Sequence, residues 1–177
     1  YLLTYQTQES LDSYSFVVDD YFGFLDDNSG QYVKYDTVRL GIGRFPVTTL
    51  SKAQEMVSKV IKYADATGKW KHKIAFVADD GNVGDGWSTN YQSNSDVLAE
   101  VVERSRPEYV VNKLFFDNYP RTASGQSGYQ GVTDRINQLL DEGLFLINYM
   151  GHGNTQSWSD EKVITQGMIN KFQYEYL

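Results

Sequence analysis

The chain has no cysteine among its 177 residues. Within these residues that excludes disulfides, thiolate metal sites and a thiol nucleophile. Histidine is scarce, at two, so imidazole chemistry must fall to His72 or His152. Basic charge is in deficit: 16 Lys and Arg face 23 Asp and Glu, for a net charge of -7. No basic face is concentrated anywhere, which argues against a nucleic-acid partner and against an anionic membrane surface. No run reaches the roughly 18 apolar residues of a transmembrane helix. The chain opens on Tyr1 rather than Met, as expected of a processed or excised piece.

What is present suits one globular domain with a real core: 41% of residues are hydrophobic and 22% charged, outside the disordered range. The 14 tyrosines and 3 tryptophans point to a secreted or surface protein. Tyr14–Leu25, aromatic and β-branched, reads as strand or strand–loop–strand, and residues 31–34 as a hairpin return. Thr37–Phe45 reads as a strand stopped by Pro46. Thr48 or Thr49 caps a helix with Ala53, Met56, Val57, Val60 and Ile61 on one face. Further on, Lys73–Ala78 and Val110–Phe116 read as strands, and Asp96–Arg104, Val132–Glu142 and Lys162–Phe172 as helices. Leu144–Met150 is a strand expected to be buried on both faces. Tyr174–Leu177 looks like the start of another. This alternation predicts an α/β fold, a mostly parallel sheet with helices on both faces, incomplete at the chain end. The organisation expected is a partial domain over 1–177, with an N-terminal part over 1–70 and a histidine-bearing part over 71–177.

In such a sheet, sites form beyond the carboxyl ends of the strands. Asp79-Asp80, Asp117 and His152 fall there. A carboxylate reaching the His152 ring would orient it as a general base and acid. The glycines on either side clear space around it, and the Gly153 N–H is placed to hold an oxyanion. The plainer alternative is a turn histidine bonded to backbone. His72, in KWKHK, reads as an exposed surface residue. Asp79, Asp80, Asp85 and Asp96 offer oxygens that could hold calcium, though a solvated loop rich in turn residues is the favoured reading of them. Trp87 and Trp158 either wall a pocket or pack loops down.

Four stretches carry a family resemblance: Asp19–Asp27 (DDYFGFLDD), Leu40–Val47 (LGIGRFPV) with the helix after it, Phe76–Gly81 (FVADDG) and Asn148–Trp158 (NYMGHGNTQSW). In this order they resemble the gingipain-type cysteine peptidases, cell-surface sortases of the type IX secretion system among them. The resemblance implies a caspase-like fold and a Cys–His pair. Its histidine matches His152, and its cysteine would lie shortly beyond Leu177. The supporting acid falls at Asp80, with Asp79 adjacent. The acid that selects basic side chains falls at Asp96, and Trp158 joins it as a substrate-binding candidate. The resemblance also implies that no cofactor is required, with structural calcium at Asp79 and Asp85. The partners it implies are polypeptides, namely secreted proteins with C-terminal sorting domains, and other secretion-system components. It places the parent at the outer-membrane cell surface. Without its thiol the piece should be inactive, and its unpaired sheet edge should make it self-associate. The alternative function is a non-catalytic calcium- or glycan-binding surface domain.

Overall fold

The computed structural model describes residues 3–6, 17–33, 35–80, 90–122, 128–169 and 171. The chain divides into two compact units, Tyr1–Ser58 and Lys59–Leu177. Their boundary lies inside the first α-helix.

In the first unit β1 (Tyr5–Gln6) pairs antiparallel with β2 (Val17–Val18). Of the strand or strand–loop–strand expected over Tyr14–Leu25, residues 14–16 lie outside the described residues, and β2 is followed by a 3-10 helix over Asp20–Gly23. Among the described residues the expected hairpin return does not form: 31–33 lie in bends and a turn, and Lys34 lies outside those residues. The Asp36 carboxylate accepts the Gly30 and Tyr32 N–H groups at 2.7 and 3.3 Å, which folds that segment on itself. Thr37–Phe45 is not a strand either. Its partners are not a ladder: the Arg39 N–H donates to the Gly23 carbonyl at 2.9 Å. Arg44 forks onto both oxygens of Asp19, at 2.7 and 2.5 Å, and holds that carboxyl below its ordinary range. Helix α1 (Leu50–Asp65) starts as expected, with the Lys52 N–H donating to Thr49 Oγ1 at 3.3 Å.

The second unit holds a parallel sheet of β3 (Lys73–Ala78), β4 (Val110–Phe115) and β5 (Leu146–Met150) in the order β4-β3-β5. Successive side chains of β3 point to opposite faces. Ala75 and Val77 join Leu114, Phe116, Val132, Ile136 and Leu139 in one cluster, on the side of α3 (Gln130–Glu142). Ile74, Phe76 and Ala78 join Ala99 and Phe115 in the other, on the side of α2 (Tyr91–Ser105). Each large apolar side chain buried this way contributes about 1.5–3 kcal/mol. Helices therefore cover both faces, as the alternation requires.

Three expectations need correcting here. Helix α2 begins at Tyr91, not Asp96. Strand β5 is not buried on both faces: it borders only β3 among the described strands, and Leu146 is 44% exposed. The helix expected over Lys162–Phe172 is reduced, among the described residues, to α4 (Gln166–Ile169). Lys162 takes a left-handed turn, φ 56°, and Ile164–Thr165 (β7) then pairs with Ser157–Trp158 (β6). Tyr174–Leu177 lies outside the described residues. Among those residues no helix is long and apolar enough to cross a membrane.

Candidate active site

Parallel pairing sets the carboxyl ends of β3 and β5 side by side, with Ala78 opposite Met150. The Asp79 N–H extends that ladder by donating to the Met150 carbonyl at 3.0 Å. The next residues on the β5 side are Gly151 and His152. Asp79 Oδ2 accepts the His152 backbone N–H at 2.9 Å and lies 3.0 Å from the ring Nδ1. A carboxylate there places the ring proton on Nδ1 and leaves Nε2 as the basic atom. Asp79 is 1% exposed, while the His152 side chain is 35% exposed. Burial pushes the Asp79 carboxyl above its ordinary value, and the two bonds from His152 oppose that rise. One oriented, buried acid behind one half-open imidazole is the arrangement a general base requires.

The acid on the ring is Asp79, not Asp80. Consecutive residues of an extended chain point apart, and Asp80 turns to the Tyr129 hydroxyl, which donates to its Oδ2 at 2.7 Å. Asp117 joins neither: it is exposed in the turn after β4, and β3 separates β4 from β5. Asp96 lies on α2, where Lys113 Nζ takes its carboxylate at 2.7 Å. Trp158 is half-buried. It stacks on Tyr149 with ring centroids 4.5 Å apart and planes 9° off parallel. His72 is exposed, as expected, and its ring lies 5.8 Å from that of Tyr109. Asp85 and Trp87 lie outside the described residues.

The family model described as Peptidase family C25 matches residues 1–177. The chain belongs to peptidase family C25. No curated protein and no solved structure matches it. Family C25 is a cysteine peptidase family with a caspase-like fold, and the parallel sheet with a helix layer on each face is this chain's share of that fold.

Within this C25 chain the turn after His152 is held from both sides. Ser159 N–H donates to the His152 carbonyl at 2.8 Å and Asn154 N–H to the Ser157 carbonyl at 3.0 Å. Gly153 faces Trp158 between those two bonds. In such a pair the Gly153 N–H points away from the opposing segment, and it has no acceptor among the described residues. Tyr91 meets the His152 ring edge to face, centroids 5.2 Å apart. Sequence patterns gave no sign of Tyr91, Tyr129 or Tyr149, because aromatic residues in strands and helix starts read as core.

A second cluster lies behind the pair. Asp79, Asp80 and Glu161 each bring one carboxylate oxygen within 4.8 Å of the others. Asp79 Oδ1 is buried without a hydrogen-bond partner among the described residues. Arg121 meets Glu161 Oε1 at 2.9 Å and supplies part of the balancing charge.

Proposed function

We propose that this chain carries the histidine half of the catalytic centre of a cysteine endopeptidase whose nucleophile lies outside these residues. The observation that supports it is the 3.0 Å contact between buried Asp79 and His152 Nδ1, which makes Nε2 the basic atom of the ring. In this mechanism the cysteine thiol passes its proton to Nε2 of His152. The thiolate sulfur attacks a peptide carbonyl carbon, and the Gly153 N–H binds the oxygen that becomes negative. The imidazolium then protonates the leaving amine as the C–N bond breaks, leaving a thioester. Water ends the cycle as hydrolysis; an amine ends it as transpeptidation.

The finer proposal is a PorU-like sortase of the type IX secretion system, acting at the cell surface on secreted proteins with C-terminal sorting domains alongside other secretion components. It rests on the NYMGHGNTQSW and LGIGRFPV stretches. Selectivity for arginine is not part of it, because Asp96 is held by Lys113. The deciding experiment is labelling of the full-length protein with a thiol-reactive peptide inhibitor. One cysteine should be labelled, and His152→Ala should abolish the labelling. Labelling that persists in that variant overturns the Cys–His assignment.

The chemistry itself calls for no cofactor. Calcium fits the Asp79, Asp80 and Glu161 oxygens by donor type, and an ion there would offset their mutual repulsion. Asp85, the other residue offered for calcium, lies outside the described ones. Calcium at about 100 times its dissociation constant should then stabilise the fold by about 2.7 kcal/mol. Calorimetry with calcium and with chelator, on wild type and on Asp80→Asn, checks this. An equal melting temperature in both media removes calcium from the proposal.

A further inference from the structure

His152 is gripped at every polar handle of its main chain and at one ring nitrogen. Asp79 takes the N–H and Nδ1. The carbonyl accepts twice, from Ser159 N–H at 2.8 Å and from the Tyr149 hydroxyl at 2.7 Å. Tyr149 sits three residues earlier, in β5, so its side chain reaches forward across Gly151 and closes the turn. The same hydroxyl lies 3.4 Å from Asp79 Oδ2. A hydroxyl has one proton, and the shorter contact assigns it to the carbonyl. Burial and the Asp79 carboxylate drive the Tyr149 phenol far above its ordinary range, so it remains a donor and does not act as a base. Trp158, stacked flat on the Tyr149 ring, fixes where that hydroxyl points.

We propose that Tyr149 is a positioning residue: by holding the His152 carbonyl it keeps Nδ1 on Asp79 and Nε2 toward the reacting group. Trp158 supports it from behind. The proposal builds on the catalytic role given to His152 above. It concerns the ring's tautomer, however, and that can be read whether or not a thiol is activated.

The test is nitrogen-15 spectroscopy of the full-length protein labelled at histidine, with the His152 signals assigned by their loss in His152→Gln. In wild type the neutral ring should carry its proton on Nδ1. Tyr149→Phe keeps the ring and its stacking but removes the hydroxyl. It should move a sizeable fraction of the signal to the Nε2–H form and lower kcat about tenfold with KM unchanged, as expected of a misplaced catalytic group. Tyr129→Phe, which removes the hydroxyl bonded to the neighbouring Asp80, should leave the His152 spectrum as in wild type. Should Tyr149→Phe fold poorly, Trp158→Leu frees the same hydroxyl and should shift the tautomer in the same direction. An unchanged His152 spectrum in Tyr149→Phe overturns the proposal, even if inhibitor labelling still depends on His152. If labelling fails while the tautomer still shifts, the positioning role stands and the peptidase assignment falls.

Discussion

Asp79→Asn is expected to lower turnover of the full-length peptidase by about 10³- to 10⁴-fold, while Asp80→Asn leaves it near the wild-type rate. The His152 N–H and Nδ1 both meet the one oxygen Oδ2, so asparagine must present either its amide or its carbonyl to both. An amide there puts the ring proton on Nε2, so the base is already protonated where the thiol must deliver its proton. A carbonyl there keeps the tautomer but removes the negative charge that stabilises the imidazolium. Asp80 has no such leverage, since its carboxylate is bonded to Tyr129 rather than to the ring. Steady-state kinetics on both variants decide the assignment, and a larger loss in Asp80→Asn would reverse it.

Wild type and Asp79→Asn should also differ in how stability depends on pH. Burial raises the Asp79 carboxyl above its value in the unfolded chain. For a group raised in this way the folded state binds the proton more tightly than the unfolded one. Its contribution to stability is therefore full below the unfolded value and is lost as pH rises through the folded value. Asparagine does not titrate. Wild type should accordingly gain on Asp79→Asn as pH is lowered from neutral into the acid range, as measured by denaturant midpoints across that window. A gap that widens in favour of wild type toward neutral pH would show that the bonds from His152 outweigh burial.

Where the chain buries a strand on both sides, its sequence is transparent. KIAFVA is continuous, apolar and β-branched, and it forms β3 over the residues expected, Lys73–Ala78. The apolar face of Val132–Glu142 likewise forms α3 almost unchanged. Elsewhere polar side chains decide, and they act over distances that no periodicity records. TVRLGIGRF has a strand's composition, yet Arg44 finds Asp19, 25 residues away in sequence, and the segment is held without a ladder. LFLINYM reads as a central strand, but its hydrophobicity does not reveal which strands lie beside it. The site was legible as a place: strand ends, a histidine between glycines, an aspartate within reach. Which aspartate faces the ring depends on how the chain turns after Ala78. That Tyr149 reaches three residues forward depends on how it turns after Met150. Both are properties of loops, where one rotated peptide exchanges neighbours.

Gly151→Ala is expected to damage both the fold and the site. A methyl group there would run into Asp79 Cβ and come within 2.5 Å of the Tyr149 hydroxyl oxygen. Neither can step aside cheaply. Asp79 Cβ is one bond from a backbone whose N–H is committed to Met150, and the hydroxyl is committed to the His152 carbonyl. Overpacking of this kind costs about 1–3 kcal/mol, and the rigid neighbours place this case near about 3. In a domain of this size that corresponds to a melting temperature lower by roughly 6–12 °C. Relief can come only by moving the β3 and β5 ends apart, which lengthens the Asp79–His152 contact. A displacement of about 1 Å at a catalytic group costs on the order of a hundredfold in rate. Gly153→Ala supplies the contrast, because among the described residues a methyl group there meets only the Ser157 carbonyl oxygen, at 3.8 Å. It should melt within a few degrees of wild type, since its backbone N–H is retained and nothing is displaced. If Gly151→Ala melts and turns over like Gly153→Ala, the two strand ends do not approach as closely as described. The turn would then have room to spare, and the orientation of His152 would rest on its side-chain contacts alone.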